Sequence, residues 1–243
     1  ARLMPTQTLG SGIAHALKAH RVDTVFGIPG VHNIELYRGI QAAGITHVLA
    51  RHEQGAGFMA DGYARATRRP GVAFVITGPG LTNIMTPMAQ AYSDRVPLLV
   101  ISSCLPVAPD MPGRLHQMRD QTGAAAAACD WSILAPDADA AYALLDRAFA
   151  EFSSSRTRPK HITIPTDVLA GSCGAAPSPS LFTPSGDEIP EPGDIESLAG
   201  LLNASTHPLF IFGGGAVGAS APARDVIARS EEHTSELQSH LNL

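Results

Sequence analysis

Two short segments carry residues whose types and spacing suit chemistry. In Arg51-His52-Glu53-Gln54-Gly55-Ala56-Gly57-Phe58-Met59-Ala60-Asp61-Gly62-Tyr63-Ala64 a carboxylate opens a helix whose next turns are rich in small residues. Small side chains let another body approach the backbone closely. Glu53 has a structural reading, a first-turn acid favoured by the helix dipole by about 0.3–1 kcal/mol. It also has a functional one, a carboxylate presented at the mouth of a site. On residue type alone the structural reading comes first. In Thr77-Gly78-Pro79-Gly80-Leu81-Thr82-Asn83 a Gly-Pro turn joins a strand to a helix. Such a turn brings backbone near a ligand while the free N–H groups of the helix start face it. A tight turn with no ligand accounts for the same residues equally well. The segment is neither a dinucleotide fingerprint nor a P-loop, because the G-x-G-x-x-G spacing and a following Gly-Lys-Ser/Thr are both missing.

The elements that must position these segments alternate from Thr8 to about Ile164. Thr8 suits an N-cap for a helix with Leu9, Ile13 and Leu17 on one stripe. Thr24-Val25-Phe26 reads as a strand ending in Gly27-Ile28-Pro29-Gly30. A helix over Asn33 to Gln41, a strand over Thr46 to Ala50 and a helix from Glu53 to about Ala66 follow. Val72 to Ile76 is a strongly apolar strand. Helix Thr82 to Tyr92, strand Pro97 to Ile101, helix Ala138 to Phe152 and strand His161 to Ile164 complete the series. Short strands that are apolar throughout, separated by single helices, predict an α/β fold: a parallel sheet with helices on both faces. Ligands of such sheets bind beyond the carboxyl ends of the strands. Gly27 to Gly30, Arg51 to Gln54, Thr77 to Gly80 and the stretch after Ile101 all fall there.

Composition narrows the partners. The chain has 243 residues, 44% of them hydrophobic and 16% charged, with a net charge of −5. That profile suits a globular α/β protein, and with no basic cluster it argues against nucleic acid. No apolar run reaches the ~20 residues of a membrane span, and the N-terminus shows no secretion leader. The three scattered cysteines, Cys104, Cys129 and Cys173, fit reduced cytoplasmic thiols better than a disulfide frame. The ten histidines form no metal-type pair.

Taken together and in order, Phe26-Gly-Ile-Pro-Gly30, Arg51-His-Glu-Gln-Gly-Ala56, Ala60-Asp-Gly-Tyr-Ala-Arg65, Gly78-Pro-Gly80 with Asn83, and Asp94-Arg-Val-Pro-Leu98 resemble the N-terminal pyrimidine-binding domain of the acetolactate synthase and 2-oxo-acid decarboxylase family, which uses thiamine diphosphate. The resemblance covers roughly Thr8 to Val168. It implies that Glu53 hydrogen-bonds N1′ of the cofactor's aminopyrimidine and favours the imino form, whose nitrogen takes the C2 proton; the cofactor then serves as electron sink for decarboxylation. It implies that Pro29 and Gly30 lie beside the pyrimidine, with Thr77, Gly80 and Asn83 near the same ring across a dimer. In several decarboxylases of the family an acid or serine follows the Pro-Gly of the first loop. Val31 stands there here, which argues against a simple pyruvate decarboxylase. The next residue, His32, is an alternative proton carrier, or a surface residue capping the helix of Asn33.

Gly113 to Gln121 occupies the loop that carries a Phe-Gln-Glu segment in acetolactate synthases, with His116 at the glutamine position. His116 is a catalytic candidate, because imidazole is the side chain whose ordinary proton exchange lies near neutral pH, although a lone histidine is more often structural. Val22 to His32, Glu35 to Arg38, Leu115-His116 and Asp120-Gln121 look most like the 5-guanidino-2-oxopentanoate decarboxylase branch, of arginine catabolism. Acetolactate synthase is the alternative activity. A non-catalytic cofactor-binding module is the alternative from another class. An NAD-type Rossmann domain is disfavoured by the missing fingerprint.

The expected organisation is a pyrimidine-binding domain over 1–170, a Pro/Ser/Gly-rich linker over 171–192, and the start of a central α/β domain over 193–228, cut short. Residues 229–243 read as one frame of a DNA-sequencing adapter and are expected to carry no function. The central domain opens with a helix at Ile195 to Leu202, a strand at Pro208 to Phe212 and the turn Gly213 to Gly218. Some family members bind FAD there; beyond that turn no residue here supports it. The family's Mg²⁺ ligands lie in a third domain with a Gly-Asp-Gly segment, which this sequence lacks. The expected partners are a small 2-oxo acid and further copies of the chain, as a homodimer or homotetramer with the site between subunits. The small residues Gly55 to Gly62 would face that contact.

Overall fold

The computed structural model describes residues 7–106, 112–153, 157–179, 190–213, 216 and 219–233. Strand β1 (Gln7–Thr8) leads into helix α1 (Leu9–Ala19), where the Thr8 hydroxyl accepts the Ser11 N–H at 3.3 Å and Leu9, Ile13 and Leu17 are all buried. The chain continues as β2 (Thr24–Gly27), α2 (Ile34–Arg38), β3 (Thr46–Leu49), α3 (Glu53–Thr67), β4 (Gly71–Val75), α4 (Pro79–Asp94), β5 (Leu98–Cys104), α5 (Gln121–Ala126), β6 (Trp131–Leu134), α6 (Ala138–Phe152), β7 (Lys160–Pro165), α7 (Thr166–Ala170) and β8 (Ser172–Cys173).

Six of these strands form one parallel sheet in the order β3-β2-β4-β5-β7-β6. Every residue of β4, β5 and β7 is buried, as expected where both faces are covered. Alternation along β4 shows the two layers. Val72 and Phe74 join the cluster of α1 and α6 side chains, whereas Ala73 and Val75 join the cluster of α3 and α4. The α/β sandwich expected from the sequence is therefore present.

Several elements have no signal in the sequence, among them β1, whose two residues pair with β8. The edge strand β6 is only half-buried, and its Trp-Ser-Ile-Leu run is too short to show a pattern. Helices α5 and α7 are single short turns. Strand β8 lies in the stretch read as linker, where Ser172 and Cys173 pair antiparallel with Thr8 and Gln7. Helix α4 starts at Pro79 rather than Thr82, so Gly80 and Leu81 belong to its first turn.

Helices α3 and α4 touch closely because α3 is built from small residues. A Cβ on Gly57 would lie 2.3 Å from Pro87 Cγ and 2.8 Å from Ile84 Cγ1. Ala56, Ala60 and Ala64 are buried within the chain too, leaving Gly55, Phe58 and Gly62 as the outward face. The small-residue segment thus serves this chain's own packing first, and only part of it is free to face another body. Gly57→Leu is expected to cost about 1–3 kcal/mol through overpacking, read as a lower urea midpoint, and to pry α4 from α3.

The chain divides into two units, at residues 1–187 and 188–243. The second contains α8 (Pro192–Ala204) and α9 (Ser220–His233). No strand forms over Pro208 to Phe212, contrary to expectation; among the described residues no partner strand is offered to it, and Leu209 and Ile211 are 83% and 87% exposed. Most of the turn at 213–218, and the tail from residue 234, lie outside the described residues.

Candidate active site

The loop after β2 is stapled by one buried residue. Asn33 Oδ1 accepts the Gly30 N–H at 2.7 Å, and its Nδ2 donates to the Ile28 carbonyl at 3.1 Å. Asn33 stands at the N-cap of α2 but makes no side-chain cap bond; its amide is spent on shaping Ile28-Pro29-Gly30. After β3, His52 caps α3 by accepting the Gln54 N–H on Nδ1 at 3.1 Å. Glu53 is the first residue of that helix and is half-buried.

The Glu53 carboxylate meets α4. Its Oε2 accepts from Asn83 Nδ2 at 2.9 Å. A Cβ on Gly80 would stand 3.4 Å from Glu53 Oε1 and 2.8 Å from Ile76 Cγ2, and one on Gly30 would stand 2.6 Å from Ile76 Cδ1. Ile76 therefore lies between the two glycines. The structure brings Gly30, Glu53, Ile76, Gly80 and Asn83 together at the carboxyl ends of β2, β3 and β4, with Pro29 exposed on the rim. The sequence marks Ile76 only as the last apolar residue of a strand; its half-buried position after β4, between the two glycines, makes it a candidate site residue.

Thr77 turns away from this cluster. It is buried, and its hydroxyl lies 3.0 Å from Ser103 Oγ. It lines a separate cavity of about 200 Å³ with Cys104, Gln117, Gln121 and Thr163. His116 is also apart from Glu53's hydrogen bonds. It has a left-handed φ of +62°, and its ring meets that of His32 edge-on at a centroid distance of 5.7 Å. Both Nδ1 atoms are buried, and neither has a hydrogen-bond partner among the described residues. His32 thus faces His116 rather than capping α2. Burial, and then the neighbouring His116, hold the His32 pKa below its ordinary 6.5. Burial, and then the negative Glu53, push the Tyr37 hydroxyl well above its ordinary value, so it stays a neutral phenol.

Glu53 Oε1 has no hydrogen-bond donor among the described residues, and the adjoining surface is glycine and the side of an isoleucine. That combination accepts an N–H at the carboxylate and a flat ring against Ile76. The residues present fit a pyrimidine-type ligand. No set of three or more His, Cys, Asp or Glu side chains that would hold a metal occurs among the described residues.

Comparison with known proteins agrees with this geometry. Residues 7–128 match the family described as thiamine pyrophosphate enzyme, N-terminal TPP binding domain. The chain belongs to that family. It is 48% identical over 225 residues to a Pseudomonas aeruginosa protein named "Probable 2-ketoarginine decarboxylase AruI", covering 90% of this chain and 40% of that protein. It is 34% identical over 204 residues to the acetolactate synthase isozyme 2 large subunit of Escherichia coli, covering 84% and 36%. It is 36% identical over 155 residues to the mitochondrial acetolactate synthase catalytic subunit of Saccharomyces cerevisiae, covering 63% and 22%. The chain spans about two fifths of the length of the first two of these curated relatives. No helix among the described residues is long and apolar enough to cross a membrane.

Proposed function

We propose that this chain supplies the pyrimidine-binding half of the active site of a 2-oxo-acid decarboxylase, with 5-guanidino-2-oxopentanoate as substrate. The observation that carries the reading is the half-buried Glu53 carboxylate, held by Asn83 beside Gly30, Ile76 and Gly80 in a thiamine pyrophosphate enzyme domain. Bound there, thiamine diphosphate supplies the electron sink for loss of CO₂ from the 2-oxo acid. Glu53 accepts a hydrogen bond from ring N1′ and, by its charge, holds a proton at that atom. Asn83 fixes the carboxylate so that Oε1 stays aimed outward. Gly30 and Gly80 keep the approach to Ile76 open. Pro29 borders the ring, and Thr77 shapes the turn from below. His116, paired with His32, is the candidate for handling a proton or the substrate carboxylate.

The substrate assignment draws on the 48% identity to the protein named as a 2-ketoarginine decarboxylase. Acetolactate synthesis is the second reading, favoured by the Val31 position and by the synthases among the relatives. Mg²⁺ and the diphosphate would be held by another part of the whole enzyme, with the site completed between two or more copies in the cytoplasm. The exposed Val31, Leu49 and Phe58 around the site suit such a contact. The test is an assay of the full-length enzyme carrying this domain. Thiamine-dependent CO₂ release from 5-guanidino-2-oxopentanoate, well above that from pyruvate, is expected. Acetolactate formed from pyruvate with no turnover of the guanidino acid would select the second reading.

A further inference from the structure

The turn at Gly78 is gripped by one segment from two sides. Gly78 has φ +67° and ψ −103°, left-handed backbone that is strained for any residue with a side chain. A Cβ there would lie 2.2 Å from the His116 carbonyl oxygen, so the backbone at His116, in the connector that leads to α5, closes directly over it. The same connector ends at Gln121, whose Oε1 accepts the Gly78 N–H at 3.0 Å. Gln121 is 8% exposed. Its Nε2 faces the Ser103 carbonyl and Thr163 Oγ1, each at 2.7 Å, and Ser102 Oγ at 2.9 Å. Ser102 Oγ lies 2.7 Å from His161 Nε2, and Ser132 Oγ lies 2.7 Å from His161 Nδ1.

Polar side chains thus run from the Gly78 turn through β5 and β7 to β6. A buried network of this kind rigidifies when all members are satisfied and is costly when one is lost. At the turn Gln121 meets the Gly78 N–H, while Ser103 Oγ accepts the preceding Thr77 N–H at 3.2 Å, so among the described residues Gln121 alone holds the residue that caps α4. Gly78 is the N-cap of α4, so its position fixes where that helix begins. Gly80 and Asn83 follow two and five residues later and form the α4 side of the Glu53 cluster.

We propose that Gln121 is the positioning residue of this site: by holding Gly78 it sets the register of α4, and so the Asn83 amide and the Gly80 backbone that face Glu53. This rests on the reading of Glu53 as the cofactor-activating carboxylate. Gln121 itself touches neither Glu53 nor the ligand side of the cluster.

The test uses the full-length enzyme with Gln121→Met, Gln121→Glu and Glu53→Gln. Gln121→Met keeps length and removes both polar ends. It is expected to lower kcat about tenfold or more while KM for the 2-oxo acid stays within about twofold. Amide exchange at Gly78 should speed up about tenfold or more, with Ile162 in β7 unchanged. Gln121→Glu keeps the acceptor for Gly78, but only its protonated form can donate to the Ser103 carbonyl. Burial raises the pKa of such a carboxyl, so kcat of this variant should recover toward wild type as pH is lowered, while Gln121→Met shows no recovery. Among the groups near position 121, Ser102, Ser103 and Thr163 do not titrate in this range, His161 does so only near pH 3, and burial pushes the Cys104 thiol up to about 11. Arg119 and Asp120, which line the same cavity, are common to wild type and both variants, so the comparison with Gln121→Met cancels them.

Wild-type kcat and wild-type Gly78 exchange in a folded Gln121→Met protein would overturn the proposal. If that variant does not fold, a Gln121→Glu pH profile parallel to wild type overturns it, and acid recovery supports it. If Glu53→Gln retains full turnover, the reading of Glu53 falls instead, and Gly78 exchange still decides whether Gln121 holds the turn.

Discussion

Glu53→Gln in the full-length enzyme is expected to lower kcat by about a hundredfold or more while leaving the fold and the cofactor site intact. Glutamine matches glutamate in shape, and its amide can turn to keep the Asn83 contact at 2.9 Å. It loses the negative charge at Oε1, the one group in the cluster able to hold a proton on a bound pyrimidine nitrogen. Hydrogen-bond geometry and electrostatics therefore come apart in this variant. A steric or purely structural role for Glu53, the first-turn acid of the helix dipole, predicts a change of a few tenths of a kcal/mol in stability and little in rate. Steady-state kinetics beside thermal unfolding separate the two.

The second large effect is on stability. His161 is fully buried between Ser102 and Ser132, and burial lowers its pKa from 6.5 to about 3. In the unfolded chain the ring takes up a proton near pH 6.5, while in the folded chain it stays neutral to about pH 3. The unfolded state then binds more protons through that window, so stability falls as pH drops from 6.5 toward 3. At pH 5 the loss is about 2 kcal/mol relative to pH 7, and His32, also lowered by burial, acts in the same direction. Asp23 and Glu151 behave differently. Each is driven down to about 2: for Asp23 the bond from Tyr63 leads, and for Glu151 bonds from Lys160, Trp131 and Arg147 outweigh burial. Their contribution is lost only below their ordinary values of 3.8 and 4.5, so the interval from pH 6.5 to 5 isolates the histidines. Urea unfolding at pH 7 and pH 5 should show the drop in the wild type and most of it abolished in His161→Gln. An equal drop in both would assign it elsewhere.

Much of this fold and part of the site are legible in the sequence. All-apolar runs such as Val72 to Ile76, each followed by one helix, predict a parallel sheet, and the carboxyl-end rule then places Gly30, Glu53 and Gly80 at one end before any coordinate is known. Helix α6 begins and ends where its periodicity says, because Asp137 caps it, accepting the Ala140 N–H at 2.8 Å. What sequence hides is whatever depends on distant partners. Gln121 reaches Gly78 across 43 residues and Thr163 across 42, and no local pattern announces either bond. Ser102, His161 and Thr163 sit inside strands that read as apolar, since a satisfied polar group in a core leaves the hydrophobic pattern nearly intact. Thr77 shows the converse: a residue next to Gly78 looks like a ligand contact from its neighbours, and its hydroxyl is turned inward to Ser103. Pro208 to Phe212 has the residues of a strand and no neighbour to pair with, and a lone strand leaves its backbone groups unpaired.

The most direct measurement is the rate of hydrogen–deuterium exchange at C2 of thiamine diphosphate bound to the full-length enzyme, wild type against Glu53→Gln, at saturating cofactor. The proposed role of Glu53 predicts exchange slowed by about a hundredfold or more in the variant, with the cofactor still bound. Exchange at the wild-type rate in Glu53→Gln would contradict it.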